Sequence, residues 1–211
     1  MESIQFRKPE TVDEAVKLLQ GADGDARILA GGTDLLVQLR AHMIDPGVIV
    51  DIKSIAETRE LTKNDDGSYT IGAAVAGAEA HERDDITADW PGVIEAWDLI
   101  GSTQIQGRAS LGGNLCNASP AGDSVPAMVA AGMTANIAGP EGRRTLPVEK
   151  ITAGPGKTNL KKGEFIVSFN LPAKPSNGGD AYLRLIPRTE MDIAVVGCGA
   201  ALTLDESGTV T

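Results

Sequence analysis

Two Gly-Gly pairs constrain this chain more than any other feature. The first lies in "RILAGGTDLLVQLR", Arg27 to Arg40, and reads as an apolar strand, a Gly31-Gly32 turn, Thr33 and Asp34, then a helix. The second lies in "GRASLGGNLCNASPAGDSVPAMVAAG", Gly107 to Gly132. It gathers Ser110, Gly112, Gly113, Asn114, Ser119 and Asp123 into one connection ahead of an apolar helix. Glycine permits a tight turn and a close backbone approach. A helix N-terminus adds free N–H groups and the positive end of a dipole, so such a turn can hold a phosphate without a lysine. Taken singly, each is equally an ordinary tight turn, with Thr33 or Asp123 as an N-cap. Two in one chain point to one ligand with two adjacent negative groups.

The surrounding pattern is α/β at first. "SIQFRKPE" reads as a short strand. "TVDEAVKLLQG" reads as a helix that opens with a Thr11/Glu14 capping box, buries Val12, Ala15, Val16 and Leu19, and stops at Gly21. "ARILA" and "GVIVDI" read as strands, the second a continuous apolar run and therefore buried and parallel. Residues 1–54 thus form a β-α-β-α-β subdomain.

Residues 55–175 read as a second unit. It has a strand at "SYTIGAAV", a helix at "WPGVIEAWDLIG" with Pro91 near its start, and a helix at "SVPAMVAAG". A hairpin turning at Gly139-Pro140-Glu141-Gly142 and a strand at "EFIVSFNLP" complete it. "KPSNGGD" reads as linker, and residues 176–211 as two strands and a turn. Thr211 comes where a further strand is expected, and a lone strand pair is marginal in water. This last unit therefore reads as truncated or as resting on something absent.

Composition removes several function classes. The formal charge of −10, with 29 acidic against 19 basic residues, disfavours nucleic acid and anionic membranes. No signal peptide and no spanning stretch is read, so the default location is cytoplasmic. Cys116 and Cys198 are far apart and read as small buried apolar residues; His42 and His81 read as structural or surface residues, and no metal site is expected. No G-x-G-x-x-G follows a strand. "GPGKTNL" ends like a P-loop but has Ile151 where the first glycine belongs, and Pro155 removes a donor.

A diphosphate between two glycine turns, with a sugar alcohol beside the acid of Asp123, fits a dinucleotide such as FAD. The ordered set "FRKPETVDEAVKLL", "AGGTDLLVQLR", "IGAAVAGAE", "QIQGRASLGGNLCNASPAGDSVPAMVAAGM" and "RTEMDIAVVGCGAAL" resembles the FAD-binding medium subunit of molybdenum hydroxylases, of the carbon monoxide dehydrogenase and xanthine dehydrogenase type. The resemblance runs from near Ile4 to Thr211. It implies an α+β chain: a PCMH-type FAD-binding fold of two α/β subdomains, then the start of a truncated C-terminal α+β domain.

The same resemblance implies that Ile28, Leu29, Ala30, Gly31, Gly32, Thr33, Asp34 and Leu35 wrap the diphosphate. Ser110, Gly112, Gly113 and Asn114 hold it from the second loop, with Ser119 and Asp123 beyond. Ile100, Leu160 and Arg184 match further cofactor contacts. A β-carbon at Gly112 is expected to block the diphosphate. One departure stands out: the family's Q-I-R-N-x-G-T reads Gln104-Ile105-Gln106-Gly107-Arg108-Ala109-Ser110 here.

By the same resemblance the function is electron transfer. FAD receives electrons from iron–sulphur clusters on a small partner subunit, which drains a molybdopterin-binding large subunit, and passes them to an external acceptor. The implied assembly is a hetero-oligomer. No catalytic acid or base is named. Two alternatives stay open: a self-standing flavin oxidoreductase on the same fold, and a truncated, non-catalytic assembly subunit.

Overall fold

The computed structural model describes residues 4–189 and 191–211. Ser3, at the start of the expected first strand, and Glu190, in "RTEMDIAVVGCGAAL", lie outside the described residues.

The first fifty residues fold as strand Gln5–Arg7, helix Val12–Gln20, strand Ala26–Leu29, helix Leu35–Arg40 and strand Val48–Asp51. The three strands are parallel, with the wholly buried Val48–Asp51 in the centre. That burial is why "GVIVDI" is apolar on both faces. Thr11 caps the first helix through Oγ1, which accepts from Glu14 N at 3.2 Å, and Val12, Ala15, Val16 and Leu19 are its buried stripe. The capping box is only half formed. The Glu14 carboxylate accepts from the N–H of Glu10, one residue before the cap, at 3.0 Å.

The second unit is an antiparallel five-stranded sheet in the order Leu61–Lys63, Tyr69–Gly72, Phe165–Leu171, Thr134–Gly139, Gly142–Pro147. Its middle strand, Phe165–Leu171, is covered on both faces. Phe165 and Val167 join the core of the first helix with Val16, Leu19 and Val50; Ile166, Phe169 and Leu171 join the core under the helices of the second unit. Strict alternation would put Ile166 and Phe169 on opposite faces. An irregularity in register between Ile166 and Ser168 restores them to one face.

Over that second face lie helices Pro91–Asp98, Leu111–Asn117 and Ser124–Ala130, which bury Trp97, Leu111, Leu115 and Met128. Pro91 occupies the first turn of its helix, where its missing N–H costs nothing.

The last unit is an antiparallel hairpin, Gly178–Leu185 with Val196–Thr203. Its first strand begins inside "KPSNGGD", so the expected linker is shorter than it reads. The hairpin rests on the second unit through close backbone contact. A β-carbon on Gly92 would lie 2.7 Å from Ala181 Cα, and one on Gly199 would lie 2.5 Å from the Pro126 carbonyl oxygen. Its other face carries Leu183, Leu185, Val196, Cys198 and Leu202 outward, with Leu183 74% exposed. Cys198 is therefore exposed rather than buried. Cys116 is partly covered, and burial pushes its thiol up to about 12. Among the described residues no helix is long and apolar enough to cross a membrane, and no group of three or more His, Cys, Asp or Glu is placed to hold a metal.

Candidate cofactor site

The first glycine turn leaves the sheet at Leu29, the last residue of its strand. Gly32 has φ +81°, a conformation that favours glycine, and a β-carbon there would press on the tip of the Leu29 side chain, 2.6 Å from Cδ1. The next helix begins at Leu35, its ladder opening with Leu36 N donating to Gly32 O at 3.1 Å. Asp34, not Thr33, stands at the N-cap position, and its side chain caps nothing. It accepts instead from Gln38 Nε2. Among the described residues the N–H groups of Gly32, Thr33, Asp34 and Leu35 donate to no protein acceptor. Such a run of successive free amides suits an anion.

The second motif is a helix start rather than a loop. Ser110 is the N-cap of Leu111–Asn117: its Oγ accepts from Gly113 N at 3.1 Å, and its carbonyl accepts from Asn114 N at 3.0 Å. Leu111 and Gly112, at the first two helical positions, have no intrahelical acceptor for their N–H groups. Gly112 and Gly113 then separate in role. Gly112 is buried, and a β-carbon on it would lie 2.5 Å from the Ala73 carbonyl oxygen and 2.8 Å from Ala73 Cβ. It is a packing glycine, which corrects the expectation that its β-carbon would block the ligand. Gly113 is exposed, and a β-carbon there would meet only Ser110 Oγ, at 3.2 Å. Asn114 Oδ1 accepts from Ser124 Oγ at 2.7 Å, and Ser119 Oγ accepts from Ala121 N at 3.2 Å.

The fold brings the two motifs into contact. A β-carbon on the buried Gly31 would fall within the radius of the Arg108 carbonyl oxygen. Arg108 Nε in turn donates to the Gly31 carbonyl at 3.1 Å. Gln38 Nε2 reaches Asn117 Oδ1 at 3.3 Å, tying the two helices that leave the turns. From the sheet side, Lys53 Nζ donates to Ala30 O at 2.9 Å and pairs with Asp51 at 2.7 Å. Ile28 and Leu29 form the strand end that carries the first turn.

Asp123 lies beyond this junction and is nearly buried. Its Oδ1 accepts from Tyr182 Oη and its Oδ2 from Arg184 Nη1, each at 3.0 Å. Its side chain makes no cap bond to the Ser124–Ala130 helix. Burial, and then the neighbouring Asp123 charge, push the Tyr182 hydroxyl well above its ordinary value, so it stays a donor. Arg184 Nη1 also donates to the Leu99 carbonyl at 3.0 Å. Gln106 Nε2 holds the Asp98 and Ile100 carbonyls, both at 2.6 Å. Thus Ile100 sits on a turn fastened from two sides. A carboxylate oxygen has a second lone pair, so Asp123 keeps acceptor capacity for a ligand hydroxyl.

Leu160 is half-buried against the core of the second unit, just after the strand pair Thr152–Gly154 and Lys157–Thr158. The P-loop-like glycines are the turn of that pair, not a strand-to-helix cradle. Sequence reasoning missed Arg108, Lys53 and Tyr182, and singled out Gln106 only as a departure from the family's pattern. Arg108 stood inside the glycine-rich stretch and was the only cation in it. Lys53 and Tyr182 touch the site only through distant pairings, whereas Gln106 bonds carbonyls six and eight positions before it.

Two runs of free backbone amides, joined at Gly31 and Arg108 and flanked by a buried carboxylate, fit a dinucleotide with a diphosphate and a polyol. Comparison with known proteins agrees. The family described as the FAD binding domain in molybdopterin dehydrogenase matches residues 2–174. The xanthine dehydrogenase FAD-binding subunit of Escherichia coli O157:H7 is 35% identical over 202 residues, 95% of this chain and 68% of that subunit. The carbon monoxide dehydrogenase medium chain of Hydrogenophaga pseudoflava is 31% identical over 205 residues, 97% of this chain and 70% of that one. A solved carbon monoxide dehydrogenase from Hydrogenophaga pseudoflava, which lacks the Mo-pyranopterin moiety of its cofactor, superposes with a TM-score of 0.92 at 30% identity, covering 99% of this chain and 71% of that one. The sequence match and the shared fold, reaching across both glycine turns, place this chain in the family of FAD-binding domains of molybdopterin dehydrogenases.

Proposed function

We propose that this chain is the FAD-binding subunit of a molybdenum hydroxylase complex, working in the cytoplasm with a molybdopterin-binding large subunit and an iron–sulphur small subunit. The observation that carries this reading is the junction of two free-amide turns at Gly31 and Arg108. Bound FAD supplies the redox chemistry, accepting electrons from the partner's clusters and passing them to an external acceptor.

The chain's own residues bind and orient. The Gly32–Leu35 amides and those of Leu111 and Gly112 hold the diphosphate, and the exposed face at Gly113 lets it approach. Asp123, fixed by Tyr182 and Arg184, accepts a hydroxyl of the polyol. Ile100 and Leu160 supply apolar wall. No side chain is assigned a proton-transfer role.

The test is reconstitution. The FAD-loaded chain is mixed without oxygen with reduced partner subunits, and its visible flavin absorbance is followed. Bleaching that requires the iron–sulphur subunit supports the reading. Bleaching by a small substrate with no partner present favours a self-standing oxidoreductase. No bleaching in the complete mixture contradicts electron transfer.

A further inference from the structure

We infer that Arg108 is a cofactor-binding residue of this chain, its guanidinium supplying the positive charge that the two amide turns lack; this rests on the proposed FAD site. Three observations carry it. First, Arg108 stands at the junction itself, its carbonyl packed against Gly31 and its Nε donating to the Gly31 carbonyl at 3.1 Å. Second, only that nitrogen is engaged. Among the described residues Nη1 and Nη2 meet no acceptor and the residue is exposed, so two N–H2 groups are presented beside the free amides. Arg184 and Arg144, by contrast, are closed by the carboxylates of Asp123 and Glu164.

Third, the turns themselves hold no other cation. Ile28–Gln38 contains no Lys or Arg, and Gly107–Gly132 contains only Arg108. Lys53 is near in space, but its ammonium is paired with Asp51 and spent on the Ala30 carbonyl. In a chain of net charge −10, a diphosphate held by neutral amides alone would sit in an unfavourable field. A guanidinium fork matches phosphate oxygens in geometry and adds charge-assisted hydrogen bonds.

The test is FAD titration of wild type, Arg108→Gln and Arg108→Lys at several salt concentrations, followed by flavin fluorescence. The expected result has two parts. R108Q binds FAD about tenfold to a hundredfold more weakly, and its Kd varies less with salt than that of wild type, because the screened charge is gone. R108K, which keeps the charge but not the fork, falls between the two and retains the salt dependence. A purely structural tie to Gly31 would weaken binding without altering the salt dependence, and that result, like unchanged R108Q binding, overturns the inference.

Phenylglyoxal labelling of the wild-type chain, read by peptide mass spectrometry, needs no variant. ADP should protect Arg108, and labelling at the same rate with ADP bound overturns the inference. Wild type that binds no FAD would sink the functional reading itself, whereas wild-type binding with R108Q unaltered removes only Arg108.

Discussion

The Gly31 carbonyl oxygen accepts a hydrogen bond from Arg108 Nε at 3.1 Å, while the Gly31 Cα lies against the Arg108 carbonyl. Seventy-seven residues apart in sequence, the two glycine motifs become one structure at this point.

Gly31→Ala tests that closeness. Its β-carbon would meet backbone, which cannot swing aside as a side-chain tip can. The turns must separate or the sheet end must shift, at a cost of about 3 kcal/mol. Urea unfolding of G31A should show that loss. A midpoint equal to that of wild type would mean the junction is loose.

The second prediction concerns the hairpin. Arg184 and Asp123 pair at 3.0 Å with side chains only 8% and 11% exposed, and the pair links the hairpin to the site. Arg184→Met strands a buried carboxylate, and a loss of about 3–5 kcal/mol is expected. Adding Asp123→Asn should recover part of it, since no charge is then left without its partner. Tyr182→Phe should cost about 1 kcal/mol. Denaturant unfolding of the four proteins measures this, and a double variant no better than R184M would deny the pairing.

The third concerns pH. Glu164 is forked by Arg144 at 2.7–2.8 Å, which holds its carboxyl below the ordinary 4.5. A depressed folded-state value stabilises fully above the unfolded value and is lost as pH falls through the folded one. Thermal midpoints between about pH 6 and pH 3 should fall more steeply for wild type than for Glu164→Gln. Parallel curves would show that this pair does not contribute.

The fourth separates two neighbouring glycines. Gly112→Ala should destabilise, because Ala73 leaves no room. Gly113→Ala should leave stability unchanged or raise it by up to about 1 kcal/mol, as glycine-to-alanine changes in helices do. The outward face of Gly113 is assigned to the cofactor, so G113A should still lose FAD affinity. Stable G113A with wild-type affinity would remove Gly113 from the site.

These two glycines also show what the sequence could and could not reveal. Periodicity and capping made the first β-α-β-α-β run readable, because a helix stripe such as Val12, Ala15, Val16, Leu19 is local information. The Gly31-Gly32 turn between strand and helix was readable for the same reason. Whether a glycine spares a ligand or a neighbouring strand depends on what lies above its Cα, and Ala73 lies 39 positions before Gly112. Asp123 was legible as a polar oddity, but not its partners, because Tyr182 and Arg184 arrive on a strand whose docking is set by Gly92 and Gly199. Cys198 was misread because burial was inferred from residue type. The alternation of the Val196–Thr203 strand, in a hairpin covered on one side only, decides it.

The two joined turns are proposed to hold a diphosphate. Titration of the chain with FAD and, separately, with FMN tests it most directly, since FMN carries the same flavin and polyol with a single phosphate. FAD should bind at least about tenfold more tightly than FMN, the difference expected for several charge-assisted hydrogen bonds. Equal affinity for the two would contradict it.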